Sequence, residues 1–257
     1  MRYRPLFPLP AFAILVSLAA VNLTPTMAVA STKVKDVRAV TAASPKATPS
    51  VSCPINIAST LQNSGGGSQL ITVTTTNVRS TFATLETWAR VSGCWQPVAG
   101  PLVARIGRSG MSAHHREGDG TTPMGLFGFG PTLYGNNAQG PGGAYPYVRL
   151  TCGDWWDEKS TSKTYNSFVH VPCGTNPAFN DGQSEALWLE RTAYSSFAVI
   201  AYNPSRIAGL GSGIFLHATT NSPTAGCVSL PLVELRNVLR WMVPSSSPHI
   251  VIEVVSR

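Results

Sequence analysis

One cysteine of the chain has the surroundings of a nucleophile. Cys227 follows Gly226 within residues 224–230 (TAGCVSL), and His217 lies ten positions earlier. A thiol with an ordinary pKa of about 8.5 is mostly protonated at neutral pH, and an imidazole within hydrogen-bonding distance can accept its proton. The pair therefore predicts a cysteine–histidine dyad, with a buried structural thiol and a structural histidine as the alternative.

The residues around the thiol suggest how a substrate would be held. Because glycine has no side chain, Gly226 would let a substrate carbonyl approach the backbone, and the N–H groups nearby would form an oxyanion hole. We include Thr224 and Ala225, which precede Gly226, in the same oxyanion-hole motif. The candidate substrate-binding residues are Ser229, Tyr202 and Trp155. Core packing is the alternative explanation for the aromatic residues.

The other four cysteines are expected to form disulfides. The chain has five cysteines, and pairing of neighbours in sequence gives Cys53–Cys94 and Cys152–Cys173. Other pairings of these four remain open at this stage. Disulfides persist in oxidising compartments, so this cysteine usage agrees with an exported protein.

The N-terminal sequence predicts export. Arg2 and Arg4 precede an apolar stretch over 11–21, and a small-x-small pattern follows at 28–30. This order predicts a signal peptide over 1–30, cleaved near Ala30, with an uncleaved membrane anchor as the alternative. Residues 31–52, rich in Ser, Thr, Ala, Pro and Lys, predict a disordered tether. We therefore expect a secreted, cell-envelope protein with a globular domain over 53–257 and no transmembrane domain in its mature form.

The net charge of the chain indicates what kind of partner it would bind. The chain carries a net charge of +7 although only 12% of its residues are charged, which favours an anionic cell envelope as partner. Nucleic-acid motifs are absent, so nucleic acid is not an expected partner.

Adjacent His114 and His115 would point to opposite faces of a strand, without zinc-site spacing around them. We expect no metal and no cofactor.

The domain is predicted to be mainly β. Short β-branched segments alternate with Gly- and Pro-rich turns, which is typical of a sandwich or barrel-like core. The predicted strands cover 69–76, 88–95, 102–106, 145–150, 167–171, 196–202, 213–217 and 249–255. One helix is predicted between Pro231 and Pro244, where leucines repeat at helical spacing. If its N-terminus pointed at Cys227, it would lower the pKa of the thiol.

Three segments together resemble the bacterial L,D-transpeptidase family with the YkuD-type catalytic domain. His217 and residues 224–227 are similar to the family's upstream histidine and its Ser/Thr-His-Gly-Cys motif. Residues 122–127 (TPMGLF) match a Thr-Pro-x-Gly-x-Phe stretch, and 117–120 (EGDG) resemble the segment before it. The resemblance covers roughly residues 105–255.

The chain also departs from the family pattern. Ala225 stands where the family has histidine, and Ser229 where it has asparagine or arginine. The spacing from His217 to Cys227 is shorter than in the better-known members. These differences affect the residues that shape the acyl pocket, so they bear on substrate preference more than on the nucleophile.

The resemblance implies a single-domain, β-sandwich-like YkuD-type fold with one short helix after the cysteine segment. It implies a transferase that attacks a peptidoglycan tetrapeptide stem with Cys227, releases D-alanine, and passes the acyl group to another stem as a 3–3 cross-link. A backbone carbonyl would orient His217. Such an enzyme would serve cell-wall biogenesis as a monomer. The alternatives are an L,D-carboxypeptidase or endopeptidase, and a non-catalytic wall-binding protein.

Overall fold

The computed structural model describes residues 52–180 and 182–256, all of which belong to one compact unit. The predicted signal peptide over 1–30 and the predicted tether, except Ser52, lie outside the described residues. Within them, no helix is long and apolar enough to cross a membrane.

Strands dominate the described residues. Two α-helices are present, α1 (Ile57–Thr60) and α2 (Leu232–Trp241), with short 3₁₀ turns at Ala193–Ser195 and Pro244–Ser246. The strands are β1 (Gln69–Thr75), β2 (Phe82–Val91), β3 (Cys94–Arg105), β4 (Met111–Ser112), β5 (Thr122–Pro123), β6 (Gly125–Phe127), β7 (Phe129–Gly135), β8 (Tyr147–Arg149), β9 (Asp154–Asp157), β10 (Ser167–His170), β11 (Glu185–Ala186), β12 (Phe197–Ile200), β13 (Phe215–Ala218), β14 (Val228–Leu230) and β15 (His249–Val254).

Ten of these strands form one curled sheet. Its order is β6-β15-β1-β2-β3-β14-β13-β12-β7-β8, with parallel pairing of β1 with β15, of β13 with β14 and of β7 with β8. Two smaller sheets, β10-β9-β11 and β4-β5, complete the set. The mainly β class is confirmed, and the expected sandwich-like arrangement takes the form of this single curled sheet.

The two faces of β13 and β14 pack against different parts of the protein. Leu216 and Leu230 lie in the large core with the buried side chains of α2, whereas Phe215 and Cys227 belong to a second, aromatic cluster. Side chains alternate along a strand, so His217 and Ser229 share the face of Phe215 and Cys227. The predicted helix is confirmed as α2, and it supports the sheet from the face opposite to Cys227.

Both predicted disulfides are present. Cys53 is bonded to Cys94 at the start of β3, and Cys152 to Cys173 across the segment that contains β9 and β10. The second bond therefore joins the two ends of the segment that supplies β9 and β10 to the small sheet β10-β9-β11. The third strand of this sheet, β11, contains Glu185.

Some predicted strands were wrong in detail. Residues 88–95 were predicted as one strand, but Ser92 and Gly93 have positive φ angles of 49° and 84° and form the turn between β2 and β3. A left-handed pair at this point reverses the chain, so the segment belongs to a hairpin. Strand β9 was not among the predicted strands, although all four of its residues are buried.

Candidate active site

Cys227 lies at the entry to β14 and is the free cysteine of the described residues. Its residue is 8% exposed. The thiol donates a hydrogen bond to the carbonyl oxygen of Gly213 (3.2 Å), and its sulfur accepts one from the N–H of Phe215 (3.3 Å). Burial, with the charges of Glu185 and Glu158 as added causes, raises the pKa of the Cys227 thiol well above its usual value. The resting thiol is therefore protonated at neutral pH.

His217 is held in one orientation by the backbone. Its Nδ1 lies 2.8 Å from the carbonyl oxygen of Ala218. Because a carbonyl can only accept, we assign the proton to Nδ1, which leaves Nε2 with a free lone pair. Burial lowers the pKa of His217 to about 4, so the imidazole is neutral at physiological pH. A neutral imidazole with a free Nε2 can accept a proton.

The two candidate catalytic residues line the same cavity, whose volume is about 270 Å³. Parallel pairing places His217 beside Ser229, two positions after Cys227 and on the same face of the sheet. Within the described residues no hydrogen bond joins the thiol to His217, because the thiol donates to Gly213. The resting site therefore holds a neutral thiol and a neutral imidazole, rather than a thiolate–imidazolium ion pair.

The loop before Cys227 is stabilised by its own hydrogen bonds. The hydroxyl of Thr224 donates to the carbonyl oxygen of Cys227 (2.6 Å) and accepts from the N–H of Gly226 (3.2 Å). The Gly226 N–H, which we expected in an oxyanion hole, is thus already paired. Thr224 and Ala225 line the cavity.

Gly226 is needed here for packing. A Cβ at this position would lie 3.0 Å from Ile214 Cδ1 and 3.0 Å from the Thr121 carbonyl oxygen, which is tighter than ordinary van der Waals contact. The glycine therefore permits a close approach between two parts of the chain itself. We expected the glycine to admit a substrate carbonyl, whereas the structure places Ile214 and Thr121 against it.

The first residue of the TPMGLF segment, Thr122, contacts the backbone of Cys227, whereas Gly125–Phe127 form β6 at the edge of the large sheet. The hydroxyl of Thr122 accepts a hydrogen bond from the N–H of Gly107 (2.8 Å) and lies 3.4 Å from the carbonyl oxygen of Cys227. Just before it, Nδ1 of His115 lies 3.0 Å from both Thr121 Oγ1 and Asp119 Oδ1. His115 therefore holds a loop together, and the described residues contain no cluster of three or more metal-ligating side chains.

The expected influence of α2 on the thiol does not fit the structure. Strand β14 separates Cys227 from the helix, which at about 3.3 Å per residue places the two roughly 10 Å apart. The field of a helix terminus falls off within its first turn. Burial therefore sets the thiol pKa, and in the opposite direction to the one we expected from the helix.

The three candidate substrate-binding residues lie in different parts of the structure. Ser229 lines the cavity. Tyr202 lies away from it, donating from its hydroxyl to the carbonyl oxygen of Leu210 (2.8 Å). Trp155 is buried against the rings of Phe179 and Trp188. Neither Tyr202 nor Trp155 lines the cavity, so the structure gives both a packing role.

Three residues that our sequence interpretation missed also line the cavity: Glu185, Glu190 and Tyr194. The hydroxyl of Tyr194 donates a short hydrogen bond to Glu185 Oε2, and the Tyr194 ring meets the His217 ring edge-on at 5.6 Å. Burial raises the pKa of Glu185 to about 7. No spacing or motif in 185–194 indicated this role, because Glu185 is placed by the pairing of β11 with β9 and Tyr194 by the 3₁₀ turn Ala193–Ser195.

Comparison with known proteins adds no family assignment: no protein-family model, no curated protein and no solved structure matches the chain. What the fold and site define is a mainly β protein with two disulfides and one buried thiol that shares a cavity with a neutral, oriented histidine.

Proposed function

We propose that the chain is an exported L,D-transpeptidase that forms 3–3 cross-links in peptidoglycan through a Cys227 thioester. The observation that carries the proposal is the shared cavity of Cys227 and His217, with Nδ1 of the histidine fixed by the Ala218 carbonyl oxygen. A histidine held by a backbone carbonyl is the arrangement that the family resemblance implies. The two disulfides support export to an oxidising compartment.

The first half-reaction would begin with rotation of the thiol S–H from Gly213 toward Nε2 of His217. As the proton passes to Nε2, the sulfur attacks the carbonyl carbon between the third stem residue and the terminal D-alanine. The C–N bond then breaks, the leaving amine takes the proton from His217, and a thioester remains on Cys227.

The second half-reaction regenerates the thiol. The side-chain amine of another stem attacks the thioester carbonyl carbon and loses a proton to His217. The C–S bond breaks and the sulfur takes that proton, leaving an amide as the 3–3 cross-link. If water replaces the amine, the same steps give L,D-carboxypeptidase activity, and cleavage of an existing cross-link would make the protein an endopeptidase.

The buried thiol favours a second candidate, a non-catalytic wall-binding protein. Cys227 is 8% exposed and its thiol is hydrogen-bonded to Gly213, as a structural cysteine would be. This candidate requires no rotation of the thiol and predicts binding of wall fragments without turnover.

Product analysis separates these functions. Residues 31–257 would be incubated with disaccharide-tetrapeptides, with Cys227→Ala as the matched inactive protein, and the products identified by mass spectrometry. We expect dimers that lack one D-alanine with the unaltered protein and none with the variant. Trimmed monomers alone would assign a carboxypeptidase. No turnover by a folded protein would contradict the enzymatic proposal and favour the wall-binding candidate.

A further inference from the structure

The cavity beside the thiol has two acidic side chains in its wall. Glu185 and Glu190 both line it, and no described lining residue is a lysine or an arginine. Neither carboxylate has an ion-pair partner among the described residues, where the two ion pairs are His115–Asp119 and His170–Asp154. Glu185 accepts a hydrogen bond from Tyr194 and Glu190 is exposed, and with no cation beside them these two acidic side chains favour a positively charged group of the substrate over an anionic one.

An unpaired hydroxyl in the same cavity is an independent sign of a ligand. Ser229 is 1% exposed, its Oγ has no hydrogen-bond partner, and it lines the cavity on the same face of β14 as Cys227. Buried hydroxyls are nearly always paired, so an unpaired one that lines a cavity is free to bond a ligand there; Nε of Arg105, opposite Ser229, is also buried and unpaired. Arg105 pairs with Ser229 across β3 and β14, but its guanidinium lies over the Phe82 ring (3.8 Å) and does not line the cavity.

We propose that this cavity binds the primary ammonium group of a peptidoglycan stem, with Glu185 and Glu190 as its counter-charges and Ser229 as a hydrogen-bond acceptor. An ammonium group has three N–H donors, and these three side chains offer it three acceptors. The inference rests on the proposed function for its choice of stem peptides. The ammonium can come from the third residue of the acyl donor or from the acceptor stem, and both present the same chemistry.

The protonation of Glu185 gives the proposed site a pH dependence. Burial raises the pKa of Glu185 to about 7, the hydrogen bond from Tyr194 lowers it, and the charge of Glu190 raises it. Glu158 and the Cys227 thiol also face this group, and the thiol is uncharged at neutral pH. A bound ammonium would lower the pKa of Glu185, so binding should release a proton and be tighter at pH 8 than at pH 6. His217 stays neutral over this range because its pKa is about 4.

Calorimetry on the purified Cys227→Ala protein tests the site without turnover. The probes are a stem tripeptide with a free side-chain amine and the same tripeptide acetylated on that amine. We expect acetylation to weaken binding about tenfold or more, as for loss of a hydrogen-bonded charge. Adding Glu190→Gln or Glu185→Gln should reduce this difference, whereas Glu234→Gln, which removes an exposed charge on α2, should preserve it. Equal binding of both probes would overturn the proposal.

Kinetics of the unaltered protein distinguish the two sources of the amine. If the donor supplies it, acetylating the third residue of a tetrapeptide should raise KM for D-alanine release in the absence of an acceptor. If the acceptor supplies it, that KM should stay constant, and Glu190→Gln should raise KM for the acceptor. Absence of D-alanine release would refute the proposed function alone, because the calorimetric preference for the ammonium probe would still establish the site.

Discussion

The hydrogen bond between His217 and the carbonyl oxygen of Ala218 fixes more than the angle of a ring. It places the proton on Nδ1 and leaves Nε2 free to accept a proton in the proposed reaction. Burial disfavours the charged imidazolium, so His217 begins the reaction neutral. Cys227 begins it protonated for the same reason, since the thiolate is also disfavoured by burial. The dyad is therefore expected to transfer its proton during attack on the substrate.

The acid limb of the pH–rate profile should reveal this state. His217 acts as a base only when neutral, and its pKa of about 4 means that it loses this form only as the pH falls through about 4. We expect His217 to cause no change in kcat/KM for D-alanine release between pH 7 and about 5. Below about pH 5, its protonation should decrease kcat/KM. The profile is measured by D-alanine release over pH 3.5–8. Because Glu185 titrates near 7, the same profile is measured for Glu185→Gln, where a limb near 6.5 would show that His217 is solvated and contradict the buried site.

Removal of the base should slow the reaction without unfolding the protein. His217→Gln keeps a polar side chain but has no group that accepts a proton at neutral pH, so we expect kcat to fall about 10²–10⁴-fold. Rates of D-alanine release measure the effect. The matched control is His114→Gln, which alters an exposed histidine and should leave the rate within twofold or so of the unaltered protein. Equal rates for both variants would remove His217 from the mechanism.

At this scale the sequence predicted the dyad but not its surroundings. Cys227 and His217 were recognisable because an odd cysteine after a glycine, with a histidine upstream, is a rare combination. Glu185 and Tyr194 were not, because a carboxylate is usually solvated and only the fold shows that this one is buried against a tyrosine. Long-range pairing of β11 with β9 places Glu185, and neither strand has a periodicity that indicates its partner, whereas Tyr194 lies in the 3₁₀ turn Ala193–Ser195.

The parallel pair β13–β14 is the element that builds the site. It aligns His217 with Ser229 and Leu216 with Val228, so one face carries the chemistry while the other packs on the core beneath α2. Gly226 leads into this pair, where the chain passes close to Ile214 and Thr121. The position of the thiol therefore depends on the absence of a side chain one residue before it.

Gly226→Ala tests that dependence. The added Cβ would lie 3.0 Å from a backbone oxygen that cannot move easily, so we expect a loss of about 1–3 kcal/mol in the free energy of unfolding and a lower kcat. Urea denaturation and D-alanine release give the two values. Gly66→Ala is the control, since a Cβ there meets nothing within 4 Å. Unchanged stability and rate in Gly226→Ala would mean that the loop adapts freely.

Prediction of the elements succeeded where burial follows from local sequence. Strand β1 is a β-branched run that is buried on nearly every residue, and the leucine spacing of α2 matches the buried face of that helix. Strand β9 was missed because its sequence, DWWD, contains two aspartates. Both are buried and hydrogen-bonded, Asp154 to the Thr151 N–H and Asp157 to the Thr164 hydroxyl, and the sequence does not show such partners.

At the scale of the whole molecule, the disulfide Cys152–Cys173 supports the small sheet whose strand β11 forms part of the cavity wall. It closes the segment containing β9 and β10, and β9 pairs with β11, whose Glu185 forms part of the cavity wall. The unfolded chain loses conformational freedom through this closed loop, so the bond stabilises the folded form. Stability and the shape of the candidate site are therefore linked through one covalent bond.

Replacing both Cys152 and Cys173 with serine should lower the free energy of unfolding by about 3 kcal/mol, the loss of loop-closure entropy expected for a loop of this size. It should also weaken binding of the ammonium probe, because β11 loses part of its support. Urea denaturation and calorimetry measure the two effects. Retention of full stability and binding by the double variant would show that the small sheet holds itself together.

The position of β15 in the sheet has a consequence for how the protein is made. His249–Val254 does not lie at an edge: it lies between β6 and β1, and Leu70 pairs with His249 although most of the domain separates them in sequence. A chain emerging from a ribosome or a membrane channel would therefore expose one side of β1 until nearly all of the domain had followed. Parallel pairing over such a distance forms slowly. Completion of the sheet is thus a late event in synthesis.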